Sequence, residues 1–147
     1  MSLHPYLFFT GTCSQAMTRY HEVLGGQLDV MTVADMPEGA EPPPGPPNPD
    51  LVIHAALSLG GGDLLMASDD PTGDGAGMKG MAVSLTLTDP DEATRIFEAL
   101  ADGGRITMAL GETFWSPRFG MCTDRFGTSW MVNVDGGGTP PTPQPEV

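Results

Sequence analysis

The sequence predicts an α+β fold made from one strand-helix-strand-strand-strand module used twice, and three observations predict it. First, YLFFTGTCSQAMTRYHEVLGGQLDV, from Tyr6, repeats as VSLTLTDPDEATRIFEALADGGRITM, from Val83: Ala16 falls on Ala93, Tyr20 on Phe97, Val23 on Leu100 and Gly25-Gly26 on Gly103-Gly104. Second, GDLLMASD from Gly62 is echoed by GTSWMVNVD from Gly127, each following a glycine turn and each ending on aspartate. Third, 147 residues are enough for one core-bearing domain and too few for two independent ones, so the repeats are halves of one fold.

The elements follow in order. His4 to Thr10 lacks polar alternation and reads as a strand with both faces buried. Thr12-Cys13-Ser14-Gln15 has the spacing of a capping box, with the Thr12 hydroxyl accepting the third helical amide and Gln15 reaching back. Ala16, Tyr20, Val23 and Leu24 form an apolar stripe at helical spacing, and Gly25-Gly26 supplies the stop. The second copy does the same with other residues. Met81 to Leu87 is its strand, Asp89 its N-cap, Pro90 its first helical position, and Glu92 stands three places after the cap. Ala93, Ile96, Phe97 and Leu100 are the buried stripe, ended by Gly103-Gly104. Three strands follow each helix: Gln27 to Met36, Leu51 to Leu59 and Asp63 to Ser68, then Arg105 to Trp115, Phe119 to Thr123 and Thr128 to Asp135.

The connection Pro37 to Asp50 holds seven prolines, so it is neither helix nor central strand. It reads as an exposed, extended, solvated insertion, the other reading being a polyproline docking peptide. The expected organisation is a single domain over 1–135, with module one at 4–69, a linker at 70–80, module two at 81–135 and a flexible tail at 136–147.

Six basic against nineteen acidic side chains give a net charge of −13, which repels phosphate backbones and argues against nucleic acid as a partner. No apolar run approaches the roughly 20 residues that span a bilayer, and MSLHPYLFF lacks a basic leader, so a soluble, cytoplasmic protein with no membrane partner is expected. Two cysteines, Cys13 and Cys122, do not make a disulfide framework and are expected to be reduced.

Three segments carry a family resemblance: PYLFFTGTCSQAMTRYHEVLGGQL, IHAALSLGGGDLLMASD and FWSPRFGMCTDRFGTSWMV. With the spacing of Phe114-Trp115, Arg118-Phe119-Gly120, Asp124, Phe126-Gly127 and Trp130, residues 4–135 resemble the PhnB-like branch of the vicinal oxygen chelate superfamily, which includes glyoxalase I, bleomycin resistance proteins and dioxygenases. The resemblance implies paired modules whose mixed sheet curls around a cavity, and a homodimer. It also implies a divalent metal held by histidines and carboxylates on the first and fourth strand of each module. Here the chain departs from the pattern. His4 matches one ligand, but Leu64 to Ser68 and Met81 to Leu87 offer no good donor, and the position of the glyoxalase I glutamate is taken by Met131, with Asn133 its next same-face neighbour. A catalytic metal site needs about three protein donors. No complete site is therefore expected, and a divalent metal would rest on the nonstandard trio His4, His54 and Glu112.

Other residues carry candidate chemistry. His54 shares a strand face with Ala56 and Ser58 and is suited to ligand binding, proton transfer or plain hydrogen bonding. Glu112 shares a face with Leu110 and Phe114, where burial would raise its pKa for proton transfer and exposure would leave it an ordinary surface carboxylate. Cys13 at a helix start is either an activated thiol or, more plainly, an ordinary one. Tyr6, Phe8, Phe114, Trp115 and Trp130 provide flat apolar surface for a ligand, although core packing accounts for them equally well. Arg118 either clamps an anionic group or pairs with Asp124. The absence of a strand followed by a glycine-rich nucleotide turn and a helix argues against methyl transfer. The expected function is binding of a small organic molecule in an aromatic-lined cavity without a complete metal site. The alternatives are a divalent-metal lyase or dioxygenase of the same superfamily, and a scaffold that docks through its proline loop.

Overall fold

In the computed structural model, which describes residues 1–136, the repeated sequence becomes two units, residues 1–77 and residues from Met78 onward. The first contains β1 (Tyr6–Phe9), α1 (Cys13–Leu24), β2 (Gln27–Thr32), β3 (Val52–Gly60) and β4 (Asp63–Asp69). The second contains β5 (Val83–Leu87), α2 (Pro90–Ala101), β6 (Arg105–Gly111), β7 (Phe119–Thr123) and β8 (Ser129–Val134). Each forms a mixed four-stranded sheet of the same topology, β1-β4-β3-β2 and β5-β8-β7-β6, with the first strand parallel to the last and the other pairs antiparallel. The curled sheet expected from the sequence is therefore two sheets, neither of them closed. The tail expected from 136 lies, apart from Gly136, outside the described residues.

Strand alternation gives each sheet a covered face. In the first unit Leu7, Phe9, Ala55, Leu57, Leu65 and Ala67 are buried with Ala16, Met17, Tyr20 and Val23 of α1. Each large apolar side chain so buried stabilises the fold by about 1.5–3 kcal/mol. In the second unit Cys122, Trp130, Val132 and Val134 are buried with Ala93, Ile96, Phe97 and Leu100 of α2. Gly120 marks which side faces that helix, since a Cβ there would meet the Phe97 ring at 2.8 Å.

Gly25 caps α1, whereas α2 ends on Asp102 just before Gly103-Gly104, and the second glycine of each pair lets strands approach closely. A Cβ on Gly26 would lie 2.2 Å from the Ser58 carbonyl oxygen, and one on Gly104 would lie 2.1 Å from that of Thr123. The two helix starts differ. Asp89 accepts the Asp91 amide at 2.9 Å with Pro90 in the first turn, as expected, but Glu92 pairs with Arg95 instead of reaching back to the cap. Thr12 makes no side-chain cap bond, and the buried Asp69 carboxylate takes the amides of Gly11 and Cys13 instead. A charged acceptor out of water outcompetes a flexible hydroxyl there.

Equivalent backbone bonds also correct the register of the repeat. Asp70 donates its amide to Phe9, and Asp135 donates its amide to Leu87. Asp135 is thus the counterpart of Asp70, and Asp69 has no acidic counterpart. Five strands are shorter than expected, β1, β5 and β8 by a few end residues and two by more: β2 yields to a turn of 3-10 helix at Val33–Asp35, and β6 ends before the Thr113 to Ser116 turn. The proline segment is exposed as expected, but it is not simply extended. Val33 and Ala34 donate to the carbonyls of Leu51 and Pro49, which ties the base of the loop together.

Candidate functional site on the open sheet faces

Because Leu7 and Phe9 point at α1, Tyr6 and Phe8 stand on the open face of the first sheet. Their β4 partners are Met66 and Ser68. A register shift between Met31 and Thr32 sets Met31 opposite His54 and Thr32 opposite Val52, so Ile53 is the extra residue of a bulge that aims His54 outward. The Tyr6 hydroxyl and His54 Nδ1 are 3.1 Å apart, and the Tyr6 ring lies 5.1 Å from Phe8 and 5.8 Å from His54. Phe8 is 61% exposed and Met31 49%. His4 precedes β1, is half-buried, and makes no hydrogen bond or ring contact with His54 among the described residues.

In the second unit Phe119 pairs with Asn133, opposite in facing to the Gly120–Val132 pair, so both lie on the side away from α2, where Phe119 is itself buried. The Trp115 ring meets Phe119 edge-on at 5.4 Å, and Phe114 packs against Trp115 at 4.6 Å. This aromatic loop is held by Ser116, whose buried hydroxyl lies 2.6 Å from the Arg118 carbonyl and 2.9 Å from that of Val134. Phe114 is 87% exposed. The carboxamide oxygen of Asn133 is buried and has no partner among the described residues.

Two expectations change and a third is decided. Trp130 is a core residue, fully buried on the side of α2, with its indole N–H on Asp124. Arg118 neither pairs with Asp124 nor reaches the open face, because its guanidinium donates to the Thr94 hydroxyl of α2. Glu112 follows the end of β6 and is exposed, which decides its open alternatives for a surface carboxylate. The sequence reading missed Met31, which depends on the bulge, and Phe119, whose facing only the strand pairing decides.

Neither cysteine is activated. Burial, reinforced by the Asp69 carboxylate, pushes the Cys13 thiol up to about 12, and burial with Asp124 pushes Cys122 up to about 11. Among the described residues no three His, Cys, Asp or Glu side chains gather into a group able to hold a metal ion. The open-face side chains of β4 and β8 include Met66, Ser68, Met131 and Asn133, a poor donor set for a hard or borderline cation.

The family model of the Glyoxalase/Bleomycin resistance protein/Dioxygenase superfamily matches residues 2–132. The chain belongs to that superfamily. Protein YjdN of Escherichia coli K12 is 39% identical over 141 residues, covering 91% of this chain and 95% of that one. The crystal structure of PA1353 from Pseudomonas aeruginosa is 44% identical with a TM-score of 0.80, covering 92% and 98%. The PhnB protein of Bacillus cereus, described as a putative 3-demethylubiquinone-9 3-methyltransferase, is 26% identical with a TM-score of 0.73, covering 92% and 100%. These relatives support the PhnB-like branch of the superfamily. Membership accounts for the paired βαβββ units, while chemistry depends on the side chains a given member carries on them.

Proposed function

We propose that this superfamily member binds a small organic molecule against its aromatic open faces, without a complete catalytic metal site, and acts as a cytoplasmic homodimer. One observation carries the reading: Phe8 stands 61% exposed beside the Tyr6–His54 pair. Exposed aromatic surface next to a fixed polar group has the composition of a ligand site, with the ring supplying area and the imidazole orientation. The side chains of β4 and β8 favour the metal-free form of this reading. Edge strands support a second copy, since β2 and β6 expose Val30, Met31, Ile106 and Met108 beside unpaired backbone. No helix among the described residues is long and apolar enough to cross a membrane.

The test uses the scarcity of histidine, since the chain has three. A panel of neutral aromatic fragments is titrated while the imidazole proton signals of His54 are followed by NMR, with His21 as an internal control. Binding fragments are expected to shift His54 and to weaken at least several-fold in Phe8→Ala. Equal shifts at His21, or indifference to Phe8→Ala, would end the proposal. Elemental analysis of protein purified without chelator tests the rest. One metal per subunit, lost in His54→Ala, would replace this reading with a metal-dependent lyase or dioxygenase.

A further inference from the structure

The duplication singles out one segment with no counterpart. Between β6 and β7 the chain needs only residues 112–118, whereas residues 33–51 join β2 to β3. Loops that long without regular structure are uncommon in small domains unless they serve a purpose. This one is organised. Its base is closed by Val33 and Ala34 on Leu51 and Pro49, and its return is turned by the Asn48 side chain on the Asp50 amide at 3.1 Å. The loop bends around a hollow of about 400 Å³, walled by Pro44, Pro46, Pro47, Val33, Leu51 and, from beyond β4, Pro71. That volume suits a small ligand, and pyrrolidine walls lose little freedom when one binds.

Two chemical features define what fits. The first is an imbalance of hydrogen-bonding groups. Prolines occupy 42, 43, 44, 46, 47 and 49, so the lining segment carries carbonyl acceptors and almost no N–H donors, and the carbonyls of 42–47 receive no bond from protein among the described residues. The second is charge. Glu41 and Asp50 flank the lining segment, both exposed, and no lysine or arginine occurs between Arg19 and Lys79. An apolar hollow in a stretch without lysine or arginine, with carboxylates next in sequence to its lining residues, complements a ligand with an apolar body and a cationic, N–H-bearing head. We propose that this proline hollow is a second binding site, distinct from the open sheet faces, for a small organic cation with an apolar ring.

The experiment compares three probes that share one ring: phenethylammonium, phenethyl alcohol and phenylacetate. Titrations into the full chain are read by calorimetry and by the methyl signals of Val33 and Leu51. The ammonium probe is expected to saturate, to bind roughly tenfold more tightly than the alcohol, and to weaken as salt rises from about 0.01 to 0.15 M, while the carboxylate binds least. It should move Val33 and Leu51 and leave His54 still. In Glu41→Gln/Asp50→Asn the preference over the alcohol should collapse, with far-UV circular dichroism confirming the fold. Equal binding of the three probes, absence of saturation, shifts at His54 in place of Val33 and Leu51, or an unchanged preference in the double variant would each overturn the proposal. The readout is separate from that for the open faces, so either site can fail alone.

Discussion

The indole N–H of Trp130 donates to the Asp124 carboxylate across 2.8 Å, in a core that leaves Trp130 fully buried. The other carboxylate oxygen takes the amides of Phe126 and Thr128, which shapes the turn between β7 and β8. Asp124→Ala removes the acceptor of three N–H groups at once. Since a buried donor stripped of its acceptor costs about 1–3 kcal/mol, a loss on the order of 3 kcal/mol is expected in urea unfolding followed by tryptophan emission. A change below about 0.5 kcal/mol, the range of ordinary surface substitutions, would show that this carboxylate does not hold the hairpin.

Asp69 does comparable work in the first unit with different geometry. One oxygen takes Gly11 and Cys13 at 2.9 and 3.0 Å, and the other takes Val52 at 3.0 Å, so a single side chain ties the start of α1 to the start of β3. Asp69→Asn keeps the shape but turns an NH2 group toward one of those amides. A destabilisation of about 2–3 kcal/mol is expected from the clash of donors and the lost charge. Because Val52 lies two residues before His54, the His54 imidazole signals should move as well. Stability lost with no change at His54 would separate the clip from the candidate site.

The repeat made the fold readable, because both copies carry helical stripes and glycine stops whose period survives in one dimension. Helix and strand existence followed from Ala93, Ile96, Phe97 and Leu100 and from their counterparts. What sequence hid was partner choice. Thr12 has the spacing of a cap, yet the acceptor that replaces it comes from Asp69, far along the chain. Trp130 has the chemistry of a ligand surface, and only its pairing with Cys122, on the face shared by Gly120, sends it into the core. Tyr6, Phe8 and His54 were legible as residues of interest. Their meeting depended on the Ile53 bulge, which no local pattern announces.

The two thiols should make the protein sensitive to alkali. Folding raises Cys13 to about 12 and Cys122 to about 11 from an ordinary value of 9.0, mainly by burial. Below pH 9 both are protonated whether the chain is folded or unfolded, and this contribution to stability is fully present. Between 9 and about 12 the unfolded chain ionises its thiols first, so unfolding releases protons and stability falls as pH rises. Urea midpoints measured from pH 8 to 11 should decline, and the decline should shrink in Cys13→Ala/Cys122→Ala. In native protein at pH 8 neither thiol should react with a disulfide reagent, and both should react in denaturant. Rapid native labelling of Cys13 would refute the assignment of a buried, unactivated thiol.

The glycine pairs give the most local test, because adjacent glycines do unlike jobs. Gly25 ends α1 at φ +76° with its amide on the His21 carbonyl, and a Cβ there would meet nothing within 4 Å. Gly25→Ala therefore bears only the strain of a backbone at φ +76° and ψ −150°, a region essentially reserved for glycine, on the order of 1–3 kcal/mol. Gly26, at φ +82°, also has a positive φ that strains an L side chain and would in addition drive a Cβ to 2.2 Å from the Ser58 carbonyl oxygen, so β2 must lift away from β3. Gly104 has no positive φ, and its Cβ would come within 2.1 Å of the Thr123 carbonyl oxygen. Gly104→Ala thus isolates close approach, Gly25→Ala isolates conformation, and Gly26→Ala combines them. Ranked by thermal unfolding, Gly26→Ala should be the worst and Gly25→Ala the mildest, with amide exchange quickening at the β2–β3 junction in Gly26→Ala and at β6–β7 in Gly104→Ala. If Gly25→Ala proved as damaging as Gly26→Ala, backbone conformation alone would explain the pair, and the tight strand crossing would not be the reason the second glycine recurs in both halves.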